Sequence, residues 1–206
     1  MNFPRRDHNL VMLPGMRALA IGGQKTSDYS QPVMQPEVFD LNFLGGSWAL
    51  LDAPLDLSFH PRMYHSVALI IPSGQILVAG GQMTQTMTYA SGDIYTPPWI
   101  ARGALDRPAI SSAPSQVHYN STFPVSATVA SGRTVVEMCL ISLACVTHGF
   151  DQNQRYIPLA FSQSGLGTYE VVAPPNANHA PPGYFMLFVA DTTGSYSTAR
   201  MLHVSA

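Results

Sequence analysis

Apolar and polar residues alternate in short runs along most of this chain, the period of a half-buried β-strand rather than of a helix. Residues 62–81 form the clearest such stretch. They read as two strands joined by a turn at Pro72-Ser73-Gly74, with Tyr64 and His65 at the mouth of the first. A looser copy lies upstream in residues 5–24. Gly22-Gly23-Gln24 maps onto Gly80-Gly81-Gln82 at an offset of 58 residues, and His8 maps onto His65 at an offset of 57, which places a one-residue gain in the turn. Residues 36–40 and 48–51 read as third and fourth strands of the first copy. Residues 92–96 continue the second until Pro97-Pro98 stops it.

This period is near the ~50 residues of a kelch repeat, each repeat being one four-stranded propeller blade. From about Arg107 the texture changes to short alternating strands, at residues 108–110, 123–129, 134–140, 155–159, 168–172, 184–189 and 199–204. Seven such strands in about 100 residues are the signature of an immunoglobulin-like sandwich. The expected fold is therefore all-β: a partial kelch β-propeller of about two blades over residues 1–105, then an immunoglobulin-like β-sandwich over residues 106–206, with no helix. Propellers close with about 4–8 blades, and a pair leaves edges and apolar faces open. The missing blades are expected from the same parent chain or from another chain, the first being favoured.

Composition supports this picture. Hydrophobic residues make up 46% of the 206, enough for a sizeable core, while 17 prolines and 16 glycines favour turns over long helices. Net charge is −2 with no basic run, which argues against a nucleic-acid partner. No apolar run approaches the ~18 residues of a membrane span, and residues 1–7 lack the apolar core of a signal peptide. Cys139 and Cys145 lie in one apolar segment. They read as two buried free thiols, with a Cys139–Cys145 bridge as the alternative.

Successive strand side chains point to opposite faces, so Tyr64 and His65 can converge only where the backbone bends, as at the start of a strand. The alternative is a repeat position that tolerates histidine, since His8 occupies the matching place in the first copy; Tyr64 has no such counterpart there. Far downstream, His148 ends a strand and precedes a polar loop, a setting in which histidines are commonly solvated. Imidazole and phenolate together suit copper(II), which takes tetragonal nitrogen and oxygen surroundings. His60, His118, His179 and His203 have no spaced partners and read as structural or solvated, and Trp48 reads as core.

Three motifs in order carry a resemblance. Arg62-Met63-Tyr64-His65-Ser66 with Pro72-Ser73-Gly74, then Thr147-His148 with residues 151–155, then Pro182-Gly183-Tyr184 and the strand after it, are similar to the C-terminal part of the galactose oxidase and glyoxal oxidase family. The resemblance covers essentially the whole chain. It implies the last kelch repeats plus an early set sandwich, and one copper ion near the propeller axis. It further implies Tyr64 as axial ligand and proton acceptor, with His65 and His148 as equatorial ligands, His148 being carried on a sandwich loop that reaches into the propeller. A phenol has a pKa of about 10, so its phenolate is basic enough for the proton-accepting role.

The same resemblance implies a secreted oxidase of primary alcohols or aldehydes, using O2 and giving H2O2, with carbohydrate or small alcohol and aldehyde substrates. The family's second oxidant, a tyrosyl radical cross-linked to cysteine, involves residues upstream of this segment, so the copper site is incomplete here and the chain alone is expected to be inactive. The run Asp151-Gln152-Asn153-Gln154-Arg155 departs from the family's Asp-Gln-Arg by the insertion of Asn153 and Gln154. A reading of another class is a non-catalytic kelch and sandwich module that binds glycan or protein.

Overall fold

Strand pairing in the first part of the chain follows the alternation. β1 (Asn9–Leu13), β2 (Arg17–Ile21), β3 (Glu37–Asp40) and β4 (Ala49–Leu50) pair in chain order, every neighbour antiparallel. A second sheet repeats the plan with β5 (Ser66–Ile70), β6 (Ile76–Gly80) and β7 (Gly92–Tyr95). The computed structural model describes residues 1–42, 45–52, 60–101 and 106–206, and these contain no α-helix. They fall into two compact units, one of Met1–Ile71, Gln75–Pro97 and Ala144–Gln154, the other of Pro72–Gly74, Pro98–Leu143 and Arg155–Ala206.

Within the first unit, β1 buries Asn9, Val11 and Leu13 while β5 buries Ser66, Ala68 and Ile70, the every-second-residue pattern of a sheet covered on one face. The Asn9 amide donates to Ser66 Oγ at 3.1 Å, so the two buried faces meet. Each sheet also carries a buried arginine clasp. Arg5 donates to the carbonyls of Gly22 and Gln35, both at 3.0 Å, and to Glu37 Oε1 at 2.5 Å. Arg62 does the same with the Gly80 and Ser91 carbonyls, at 2.7 and 3.0 Å, and with the Asp93 carboxylate. Both arginine side chains are fully buried, and removing one partner of such a pair costs about 3–5 kcal/mol.

The repeat differs from its sequence alignment in one place. Both hairpins close on three-residue turns, Leu13 pairing with Arg17 and the Ile71 amide donating to the Gln75 carbonyl. The Gln24 amide donates to the Arg6 carbonyl at 3.0 Å and the Gln82 amide to the Tyr64 carbonyl at 2.8 Å, both pairs 58 residues apart. The clasping arginines, Arg5 and Arg62, lie 57 apart. The gained residue is therefore Met63, between arginine and bend, and not part of the turn. It follows that the counterpart of His65 is Asp7 rather than His8: Asp7 and His65 share positive φ, 59° and 63°.

The second unit is built from β8 (Ala109–Ser112), β9 (Gln116–His118), β10 (Thr122–Thr128) and β11 (Val135–Ser142). The chain then contributes β12 (Val146–Thr147) and β13 (Phe150–Asp151) to the first unit. It completes the second with β14 (Tyr156–Pro158), β15 (Phe161–Gly165), β16 (Thr168–Val172), β17 (Gly183–Asp191) and β18 (Arg200–Ser205). One sheet runs β15-β16-β10-β8 and the other β14-β11-β17-β18-β9. Phe123, Val125, Met138, Leu140, Leu187 and Leu202 lie in the core they share.

All seven strands expected here are present. Two more escaped the pattern: β9, three residues paired in parallel with β18, and β15, an edge strand whose Ser162, Gln163, Ser164 and Gly165 are all exposed. Neither has an apolar alternation to betray it.

Cys139 is buried within β11, and burial pushes its thiol pKa well up. Cys145 is exposed, contrary to expectation, because it precedes β12 outside any sheet core. Both are free thiols. Trp48 is half-buried against Phe39, with ring centroids 5.5 Å apart, rather than enclosed in a core. No helix among the described residues is long and apolar enough to cross a membrane.

Candidate metal centre

Tyr64 and His65 sit in the turn that opens β5. Arg62 anchors the chain before it through the buried clasp, and the Ser66 amide donates to the Met63 carbonyl at 3.0 Å, closing the bend. His65 takes φ = +63°, a left-handed conformation that costs a non-glycine residue roughly 1–2 kcal/mol. That bend breaks the strand alternation, which would otherwise send the two rings to opposite faces. The rings instead stack, 4.0 Å between centroids and 25° between planes.

His148 comes from another part of the chain in the same unit. β12 and β13 form a hairpin in which Thr147 pairs with Phe150, so His148-Gly149 is its two-residue turn. Both turn residues have positive φ, 55° and 74°, the pattern of a type I′ turn, which suits the right-handed twist of a hairpin. The polar loop expected after His148 is thus in part a β-hairpin. β12 packs beside β5, and β13 beside β1. A Cβ on Gly149 would come within 2.9 Å of the His8 carbonyl oxygen, so only glycine lets the hairpin seat this closely against the first strand.

The consequence is convergence. The His148 ring lies edge-on to His65 at 4.8 Å and to Tyr64 at 6.1 Å, centroid to centroid. All three sequence-derived candidates are therefore together. Tyr64 is half-buried, and His65 and His148 are exposed. Thr147 Oγ1 lies 2.8 Å from His148 Nδ1, which leaves Nε2 as the free nitrogen.

Residues beyond the candidates hold the hairpin. The Asp151 carboxylate accepts from the amides of Cys145 and Asn153, at 2.9 and 3.0 Å. Gln154 Oε1 accepts from the Met12 amide at 2.7 Å, capping the free edge of β1. No sequence signal pointed to Gln154 as a tether; the insertion that contains it was visible only as a departure in spacing. Among the described residues no three His, Cys, Asp or Glu side chains cluster, so any metal held here relies on the phenol. Three donors of imidazole and phenol type fit copper(II) in kind, with room left for further ligands.

Comparison with known proteins places the chain in a class. Residues 107–204 match the family described as "Galactose oxidase-like, Early set domain". The chain is 28% identical to a galactose oxidase from Gibberella zeae, over 98% of this chain and 30% of that protein. It is 31% identical to an aldehyde oxidase GLOX from Vitis pseudoreticulata, over 99% of this chain and 42% of that protein. A solved fungal alcohol oxidase of the AA5 family, in complex with copper, superposes with a TM-score of 0.84 at 25% identity, covering all of this chain and 44% of the other.

The fold and these relatives define an all-β oxidase-like protein with an early set domain. The chain belongs to the galactose oxidase and glyoxal oxidase family, as a C-terminal part, and spans less than half the length of these relatives.

Proposed function

We propose that Tyr64, His65 and His148 hold one copper ion in the oxidase to which this chain contributes, and that the whole protein oxidises a primary alcohol or aldehyde with O2, releasing H2O2. The observation that carries this is the convergence of a phenol and two imidazoles from a strand mouth and a hairpin turn 83 residues apart between His65 and His148. Copper, when bound, supplies a one-electron acceptor and a point of attachment for the substrate oxygen.

In this reading His65 and His148 would hold the copper through ring nitrogens, the second fixed through Thr147 on its other ring nitrogen. Tyr64 would hold the copper through its phenol oxygen and would accept the hydroxyl proton of the substrate on Oη. Oxidation of an alcohol to an aldehyde removes two electrons, one more than copper(II) accepts. The second acceptor, a cross-linked tyrosine, comes from upstream blades of the parent chain. We assign the two sheets of the first unit to the last kelch blades of that propeller, and the finished protein to the secreted compartment. The chain by itself does not turn over.

Titration of the chain with copper(II), followed by electron paramagnetic resonance, tests the ligand set. One equivalent with nitrogen hyperfine structure is expected. His65→Ala and His148→Ala each remove one nitrogen from the pattern and weaken binding at least about tenfold. Unchanged spectra and affinity in both variants overturn the assignment.

A further inference from the structure

The second unit contains a cavity that the oxidase reading does not use. It is a pocket of about 270 Å3 open to solvent, lined by Arg107, Pro108, Ala109, Ile110, Thr198, Ala199 and Arg200, with Arg107 half-buried and Thr198 and Arg200 exposed. Among the described residues, two guanidinium groups and one hydroxyl are its polar side chains and no carboxylate lines it. Neither arginine forms an ion pair among the described residues.

Each guanidinium is held in place by main-chain carbonyls. Arg107 Nε donates to the Tyr196 carbonyl at 2.9 Å, and its Nη2 to the Ser73 carbonyl at 2.7 Å. Arg200 Nε and Nη2 donate to the Ile110 carbonyl at 3.3 and 3.1 Å. These contacts fix both forks but neutralise neither charge. Among the described residues, Nη1 of each side chain and Thr198 Oγ1 have no hydrogen-bond partner. Burial lowers the Arg107 pKa, an effect that its electrostatic interaction with Tyr196 opposes without cancelling.

We propose that this cavity is a binding site for a small oxyanion, a phosphate or carboxylate group, held between Arg107 and Arg200 with Thr198 as a further donor. The remaining Nη1 donor of each guanidinium offers such an anion a charge-assisted hydrogen bond. Forks already immobilised by carbonyls lose little further side-chain entropy when they bind. The pocket belongs to the second unit, whereas Tyr64, His65 and His148 belong to the first, and it requires no metal.

Isothermal titration calorimetry of the metal-free chain tests this, with inorganic phosphate and acetate as separate probes and chloride holding ionic strength constant. Saturable binding of at least one probe is expected, with a stoichiometry of one, and the preferred probe identifies the class. Arg200→Gln weakens it about tenfold or more, the loss of a charged hydrogen-bond donor, while Arg200→Lys falls between the two. Thr198→Val, which keeps both guanidiniums and the fold, weakens it by a smaller factor of about three to ten. The proposal is overturned if neither probe saturates beyond the chloride control, or if Arg200→Gln and Thr198→Val both bind as the unsubstituted chain does.

Discussion

His65 and His148 are both held at positive φ, 63° and 55°, where an L-residue is strained by roughly 1–2 kcal/mol. Asparagine tolerates that region better than most side chains and β-branched residues worst. His65→Asn is therefore expected to fold within about 0.5 kcal/mol of the parent while losing the imidazole, and His65→Val to lose about 1–2 kcal/mol. Chemical denaturation distinguishes them, and the asparagine variant separates loss of copper from loss of fold. Glu37 presents another residue-scale balance. Burial alone raises its pKa, but donation from the Asn2 and Phe3 amides, the Arg5 guanidinium and the Asn2 side chain outweighs this and leaves it below the usual 4.5. A carboxylate depressed in the folded state stabilises fully above its unfolded pKa, and that contribution is lost as pH falls through the folded value. Melting temperature is thus expected to drop with acid below pH 4.5. Glu37→Gln, which leaves Arg5 buried without a countercharge, costs about 3–5 kcal/mol at neutral pH and flattens that part of the profile.

At the scale of elements, the hairpin of β12 and β13 sets the place of His148, so its anchors should control local order more than global stability. Gly149→Ala meets both a left-handed backbone, φ = +74°, and the His8 carbonyl oxygen at 2.9 Å from the added carbon. It is expected to unseat the hairpin at a cost of about 2 kcal/mol or more. Gln154→Ala frees the Met12 amide and costs about 1 kcal/mol. Hydrogen exchange should show both as faster exchange confined to Ala144–Gln154 and β1; a uniform rise across the sheets would mean that the hairpin is not a separate element. The same hairpin shows where sequence reading stops. Tyr64, His65 and His148 were legible as residue types in ordered motifs, and the strands around them from period-two alternation. The His-Gly turn was not, because histidine is an uncommon first residue where Asn-Gly is the familiar signal. Nor was the position of the extra residue in the repeat. Met63 and the turn residues are equally plausible on spacing, and the equal hairpin turns, the matching hydrogen bonds of Gln24 and Gln82 and the shared positive φ of Asp7 and His65 decide between them.

For the whole molecule, the first unit's sheets turn one face to each other and carry exposed apolar residues elsewhere. Asn9, Val11 and Leu13 meet the face of Ser66, Ala68 and Ile70. On other positions of the same sheets Leu10, Leu50 and Ile94 remain 43, 44 and 49% exposed. Strand residues of this kind belong under a neighbouring sheet, as the blade assignment requires, and when uncovered they favour sheet-to-sheet association. The isolated chain is therefore expected to self-associate with rising concentration in sedimentation velocity, through the first unit. Leu10→Lys combined with Ile94→Lys places charges that would be desolvated on association, and is expected to weaken it at least about tenfold. The sandwich supplies the internal comparison, since Leu166→Lys alters a side chain that is fully exposed yet lies outside the open sheets, and should leave association unchanged. A chain that stays monomeric at high concentration without these substitutions would mean that the exposed leucines and isoleucine are ordinary surface residues. The assignment of the two sheets to an unfinished propeller would then lose its physical support, whereas the convergence of Tyr64, His65 and His148 would stand independently of it.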